Sequence, residues 1–152
     1  MTASHGQFTI ERIVKAPPAL VYAAWSTKAG KEAWFVAPDK WTLLTREFDF
    51  REGGRERLAG KWESGMVTTF DALYRNIVPN ERIVYVYDMW IDDKRISVSL
   101  ATVQFEPHGA DTKLIVTEQG VFVDGYDDAG SRERGTGDLM DQLVRAVEGK
   151  TR

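Results

Sequence analysis

Alternation of apolar and polar positions is most regular between Gly65 and Phe122. Four extended runs follow one another there: Met66–Val78, Arg82–Ile91, Ile96–Phe105 and Lys113–Phe122. Between them stand Pro79-Asn80-Glu81, Asp92-Asp93-Lys94 and Pro107-His108-Gly109-Ala110-Asp111, all turn-forming in composition. Long runs joined by turns this short pair as an antiparallel meander, because parallel neighbours need a far longer crossover. One run has a phase conflict. Ile96, Val98 and Leu100 share one face, whereas Val103 and Phe105 lie on the other. Either both faces are covered or a bulge shifts the register, and a bulge near Ala101-Thr102 suits a strongly curved sheet better.

Upstream, Phe8–Val14 alternates and predicts a first strand. Pro17 and Pro18 stop it and suit the first turn of a helix. Leu20, Val21, Ala24 and Trp25 then recur at helical spacing. Ser26-Thr27 interrupts that helix, and Lys28–Phe35 predicts a second, with Trp34 and Phe35 at its buried end before Pro38-Asp39. Trp41–Phe50 reads as a strand with Leu44, Arg46, Phe48 and Phe50 on one face. Gly53-Gly54 turns the chain into a return strand, Arg55–Trp62, and Glu63-Ser64-Gly65 turns it again. The expectation is about seven strands.

After Phe122, Asp124–Ser131 is a loop by composition. Leu139, Met140, Leu143, Val144 and Val147 then make one broad helical face opposed by Asp138, Asp141, Gln142, Arg145 and Glu148. Gly135 and Gly137 leave the helix start open between Asp127 and Thr136. The fold class is therefore α+β, a curved antiparallel sheet around a terminal helix. Such a wrap encloses a cavity suited to an apolar molecule.

A length of 152 residues allows one domain with a real core, with residues 1–6 expected to be flexible. The net charge of -3 gives no electrostatic case for nucleic acid. Arg51, Arg55, Arg57 and Lys61 are interleaved with Glu52, Glu56 and Glu63, which reads as a solvated strand pair. With no cysteine, thiolate chemistry and disulfides are excluded. No apolar signal core or membrane-length apolar run occurs, so the cytoplasm is the simplest placement. His5 and His108 read as surface residues outside any metal spacing, and no phosphate loop or dinucleotide fingerprint calls for a cofactor.

Carboxylates and aromatics are the remaining candidates. The plainer reading puts Glu118, Arg46 and Arg75 on the convex, solvent side, with Asp71 and Asp88 outside as well. Turned inward, Glu118 becomes a buried carboxylate with a raised pKa, a candidate acid or base. Trp25, Trp34, Trp41, Phe48 and Phe70 lie in elements expected to face the helix, as do Tyr74, Tyr85, Tyr87, Trp90 and Phe122. Part of this set is ordinary core. The rest suits an apolar site with tyrosine hydroxyls as polar handles, walled on its far side by Met140, Leu143 and Val144.

Four segments together resemble the helix-grip, START-like fold of the SRPBCC superfamily. Within it they resemble bacterial proteins related to the activator of the heat-shock-protein-90 ATPase (the Aha-type domain). The segments are Arg12–Phe35, with Ala16-Pro17, Ala24-Trp25 and Trp34-Phe35; Tyr74–Tyr85; Thr102–Phe105 with Thr112-Lys113-Leu114; and Gly135 with Met140–Leu143 and Val147. Many family members carry Trp after the glycine that opens the last helix, where this chain has Thr136. The resemblance implies binding of a small hydrophobic ligand such as a lipid, an aromatic metabolite or a polyketide-like compound. Its alternatives are an interaction module acting on a chaperone or stress-linked partner, and a cyclase- or hydrolase-type enzyme using Glu118. Homodimerisation is a base-rate expectation only.

Overall fold

The computed structural model describes residues 2–37 and 39–150, with only the backbone of Lys150. The chain runs β1 (Ala3–Val14), α1 (Pro18–Ser26), α2 (Lys28–Glu32), β2 (Trp41–Phe48), β3 (Arg55–Trp62), β4 (Val67–Val78), β5 (Arg82–Ile91), β6 (Lys94–His108), β7 (Asp111–Val123) and α3 (Ala129–Lys150). The seven strands form one antiparallel curved sheet in the order β1-β7-β6-β5-β4-β3-β2. Five consecutive hairpins account for the order from β2 to β7. The two short helices carry the chain from β1, at one edge, to β2 at the other.

The hairpin turns follow from their residues. Glu81 N–H donates to Val78 O at 3.0 Å, which puts Pro79 second and Asn80 third in a four-residue turn. Proline pre-sets the φ needed at the second position, and Asn80 takes the left-handed φ of 65° that the third requires. Asp92 plays the same left-handed part between β5 and β6, at φ 54°.

The structure departs from three expectations. β1 begins at Ala3, and Ala3–Gly6 pair with Val123–Gly120, so most of the segment expected to be flexible lies in the sheet. His5 belongs to this paired stretch and is exposed. In β2 a register shift between Leu43 and Thr45 turns Leu44 out to solvent, 53% exposed, so it does not share a face with Arg46 and Phe48. The bulge in β6 is not at Ala101-Thr102, where pairing with β5 runs unbroken. It lies at Ile96, opposite Met89 and Trp90. From there the inward set is Ser97, Ser99, Ala101, Val103 and Phe105, while Val98 and Leu100 face out.

α3 closes the concave side of the sheet. Met140, Leu143 and Val147 are buried in the same core as Val14, Val21 and Ile83. Arg12 Nε donates to Asp141 at 2.8 Å, which ties α3 to β1 at its outer margin. Gln142 Nε2 donates to Trp34 O at 2.7 Å and Val36 O at 3.1 Å, which ties α3 to the segment after α2. α2 in turn sits hard against α1. A Cβ at Gly30 would stand 2.3 Å from Ala23 O, so only glycine permits the approach.

Candidate functional site

A cavity of about 470 Å³ lies between the concave sheet, the first half of α3 and the α2-to-Ala37 segment. Its walls are mainly aromatic and aliphatic. Trp25, Trp34, Phe35 and Trp41 stand on the helical side and the β2 edge, with Leu58, Phe70, Tyr85 and Met89 on the sheet and Leu139 and Met140 on α3. The Trp25 and Trp34 rings are 4.8 Å apart, and Phe70 packs 4.9 Å from both Phe35 and Tyr87. Ring contacts of this kind stabilise by about 0.5–1.5 kcal/mol each beyond the area they bury.

Two groups of buried polar side chains open onto this space. The first centres on Glu118, 4% exposed, which β7 turns inward beside Val116. Tyr87 Oη donates to Glu118 Oε1 at 2.5 Å, and Thr136 Oγ1 lies 3.4 Å from Oε2. Arg132 reaches in from the start of α3. Its Nη1 donates to Tyr87 Oη at 3.0 Å, and its Nη2 donates to Ser97 Oγ at 2.8 Å and to Asp127 at 2.9 Å. Burial raises the Glu118 pKa above the ordinary carboxylate value. The Tyr87 hydrogen bond, the Arg132 charge and Thr136 oppose that rise without cancelling it.

The second group sits between α2 and β3. Lys31 is 2% exposed and Glu56 1%, and Lys31 Nζ donates to Glu56 Oε1 at 3.0 Å. Tyr74 Oη donates to the same oxygen. The Lys31 ammonium also faces three rings, at 5.0 Å from Trp25, 5.3 Å from Trp34 and 4.7 Å from Phe35. Burial lowers the Lys31 pKa, Glu56 resists through charge and hydrogen bond, and the Arg46 charge lowers it further. Arg46 points inward from β2. It donates Nη2 to Phe35 O at 2.9 Å, while its buried Nε and Nη1 have no partner among the described residues.

Of the residues expected to line a cavity, Trp25, Trp34, Trp41, Phe70, Tyr85, Tyr87, Glu118 and Met140 do so. Phe48 instead packs on Phe50, and Tyr74 lies behind the wall on Glu56. Phe122 lies under the Arg132 guanidinium, 5.2 Å away. Leu143 is sealed in the core, and Val144 packs half-buried against it. Trp90 falls on the outward parity of β5, because Tyr85, Tyr87 and Met89 take the inward one, and it stacks with Arg95 at 4.6 Å. Glu118 and Arg46 point inward, against the solvent-facing reading, while Arg75 is exposed at a β4 bulge. Asp71 and Asp88 lie on the outer face, paired with Arg55 and Arg95.

Sequence reasoning missed Lys31, Glu56 and Arg132, and marked Thr136 only as a departure from the family's Trp. Glu56 was grouped with the solvated charges, yet it shares strand parity with Leu58 and Gly60, which marks it as inward. Lys31, Trp34 and Phe35 stand at i, i+3 and i+4, and the turn that follows α2, with Phe35 N–H donating to Lys31 O at 2.9 Å, brings all three to one side. Arg132 gives no such signal, since a loop composition precedes it.

Among the described residues no three His, Cys, Asp or Glu are gathered as a metal site, and no helix is long and apolar enough to cross a membrane. The family model for "Activator of Hsp90 ATPase homolog 1-like protein" matches residues 15–148. A solved structure of an uncharacterised protein from Rhizobium leguminosarum is 44% identical, covers 97% of each chain and superposes with a TM-score of 0.92. The Mll3558 protein from Rhizobium loti is 39% identical over 96% of this chain and 99% of its own, with a TM-score of 0.89. The AHSA1-like protein from Aeromonas hydrophila shares the fold at 18% identity, covering 96% and 94%, with a TM-score of 0.72. No curated protein matches the chain. The chain belongs to the family of proteins like the activator of Hsp90 ATPase homologue 1.

Proposed function

We propose that this family member binds a small, mainly apolar and aromatic-compatible ligand in the cavity between sheet and α3. One observation carries the reading: a space of about 470 Å³ has apolar walls and a few convergent polar groups. Ligand pockets typically enclose roughly 300–1,000 Å³ and are built this way, with polar groups fixing orientation. Here Glu118 and Tyr87 would orient one polar group of the ligand, while Trp25, Trp34 and Phe70 would cover its apolar body.

Native mass spectrometry of the purified protein, set beside the same sample after denaturation, tests this. A small-molecule adduct lost on denaturation is the expected result, and its mass gives the ligand class. An adduct-free protein that no lipophilic compound stabilises in thermal melts would refute the reading.

A second reading has its own support in the buried Glu118, whose pKa burial raises, the direction a general acid needs. Under it, Glu118→Gln keeps ligand binding and abolishes turnover of the ligand. Unchanged turnover removes Glu118 from that role.

A further inference from the structure

We propose that Lys31 is an amine nucleophile that captures an aldehyde or ketone ligand in the cavity as a reversible imine. This rests on the ligand-binding reading and names the reactive group that such a ligand carries.

Three features of the site point this way. First, Lys31 is one of the residues that line the cavity. Second, the amine stands among the Trp25, Trp34 and Phe35 rings, where water is scarce. A desolvated lysine beside a second cation is a recognised way of activating an amine, and the Arg46 guanidinium supplies that cation. Third, Glu56 Oε1 lies 3.0 Å from Nζ, within reach for a proton transfer. A purely structural role explains the pair less well. Buried ion pairs are often matched or exceeded in stability by apolar residues of similar volume.

The step balances without a redox partner. Lys31 passes one proton to the Glu56 carboxylate, and the neutral amine attacks the carbonyl carbon. A C–N bond forms as the carbonyl π bond opens, and the nitrogen proton moves to the oxygen. The C–O bond then breaks, water leaves with the proton returned by Glu56, and the protonated imine remains. The same cycle in reverse releases the carbonyl compound. Tyr74 Oη, hydrogen-bonded to the same Glu56 oxygen, holds the carboxylate in place.

The test uses the folded full chain with 2-naphthaldehyde and sodium cyanoborohydride near neutral pH. Intact mass and peptide mapping locate the product. The alcohol 2-naphthalenemethanol, which lacks the carbonyl, reports plain cavity binding through quenching of tryptophan fluorescence. The expected result is one adduct per chain, heavier by the aldehyde less one oxygen, and located on Lys31 in preference to exposed Lys28. Excess alcohol and urea both abolish it. Lys31→Met combined with Glu56→Gln removes both charges together, and should lose the adduct. Should that variant not fold, the wild-type peptide map decides alone. Labelling of exposed lysines with Lys31 untouched, while the alcohol still quenches, overturns the imine and leaves the cavity reading standing. No quenching and no Lys31 adduct overturns both.

Discussion

Gly60→Ala is a sharp test of how the β2 edge shapes the cavity. A Cβ at Gly60 would stand 1.8–2.1 Å from three atoms of the Trp41 indole. Carbon contacts settle at about 3.5–4.0 Å, so the ring must move by roughly 1.5–2 Å. Gly60 cannot yield, because β3 is held on both sides, by β2 and β4. Trp41 opens β2, the sheet edge, and is only half-buried, so the ring swings outward. Overpacking of this kind costs about 1–3 kcal/mol, against which glycine replacement returns roughly 0.4–1 kcal/mol through the unfolded chain. A net loss of about 1–2 kcal/mol lowers Tm by roughly 2–8 °C for a chain of this size. Because Trp41 lines the cavity, probe binding should weaken in parallel. A double-mutant cycle with Trp41→Ala isolates the cause, since residues in contact couple and distant ones add. Denaturant unfolding of the four proteins should show Gly60→Ala losing its cost once the indole is gone. An equal cost in both backgrounds would refute the account.

Three further outcomes are expected. Glu118→Gln should be compared with the wild type by thermal melts at several pH values. Because burial raises the folded-state pKa, Glu118 contributes stability at acid pH that is lost as pH rises through the folded value. The variant should therefore gain on the wild type with rising pH, by about 1.4 kcal/mol per unit of pKa elevation, and a pH-independent gap would contradict this. Tyr87→Phe strips a hydroxyl that donates to Glu118 and accepts from Arg132, so unfolding in urea should show a loss of about 1–3 kcal/mol, with Glu118 titrating higher still by NMR. Gly30→Ala places a Cβ 2.3 Å from Ala23 O, a backbone atom that cannot swing aside. It should lower Tm and loosen α2, seen as faster amide exchange at Lys31, and unchanged exchange would show that α1 and α2 tolerate separation.

How far the sequence speaks depends on what the pattern can encode. The meander was legible because short turns of Pro, Asn, Asp and Gly stand between long runs, and β3 and β5 occur with the expected ends. β1 was not fully legible, since Ser4 and His5 are polar and owe their place to backbone pairing with β7 rather than to burial. Parity reasoning failed wherever a bulge intervened. Leu44 and Ile96 are the extra residues that reset inward and outward, and apolar side chains on both faces of β6 hid where the reset occurs.

The site was least legible where its chemistry is strongest, and for one physical reason. A charged residue in a sequence is presumed solvated because burying it alone is costly, and only a partner brought by the fold reverses that presumption. Glu56 lies 25 residues from Lys31, and Tyr87 lies 31 from Glu118, so neither pairing has a local signature. Arg132 depends on Tyr87, Ser97 and Asp127, drawn from β5, β6 and the loop before α3. The aromatic side announced itself because it is apolar and periodic, and Trp25, Trp34, Trp41, Phe70, Tyr85 and Tyr87 stand along the cavity. The pairings within the two polar groups did not, since each becomes tolerable only once the curved sheet brings its members together. Both have costs that apolar packing would avoid. Groups kept in an otherwise apolar pocket at such a cost are the ones whose removal should alter binding chemistry more than stability, and the paired Lys31 and Glu56 substitutions measure both on the same protein.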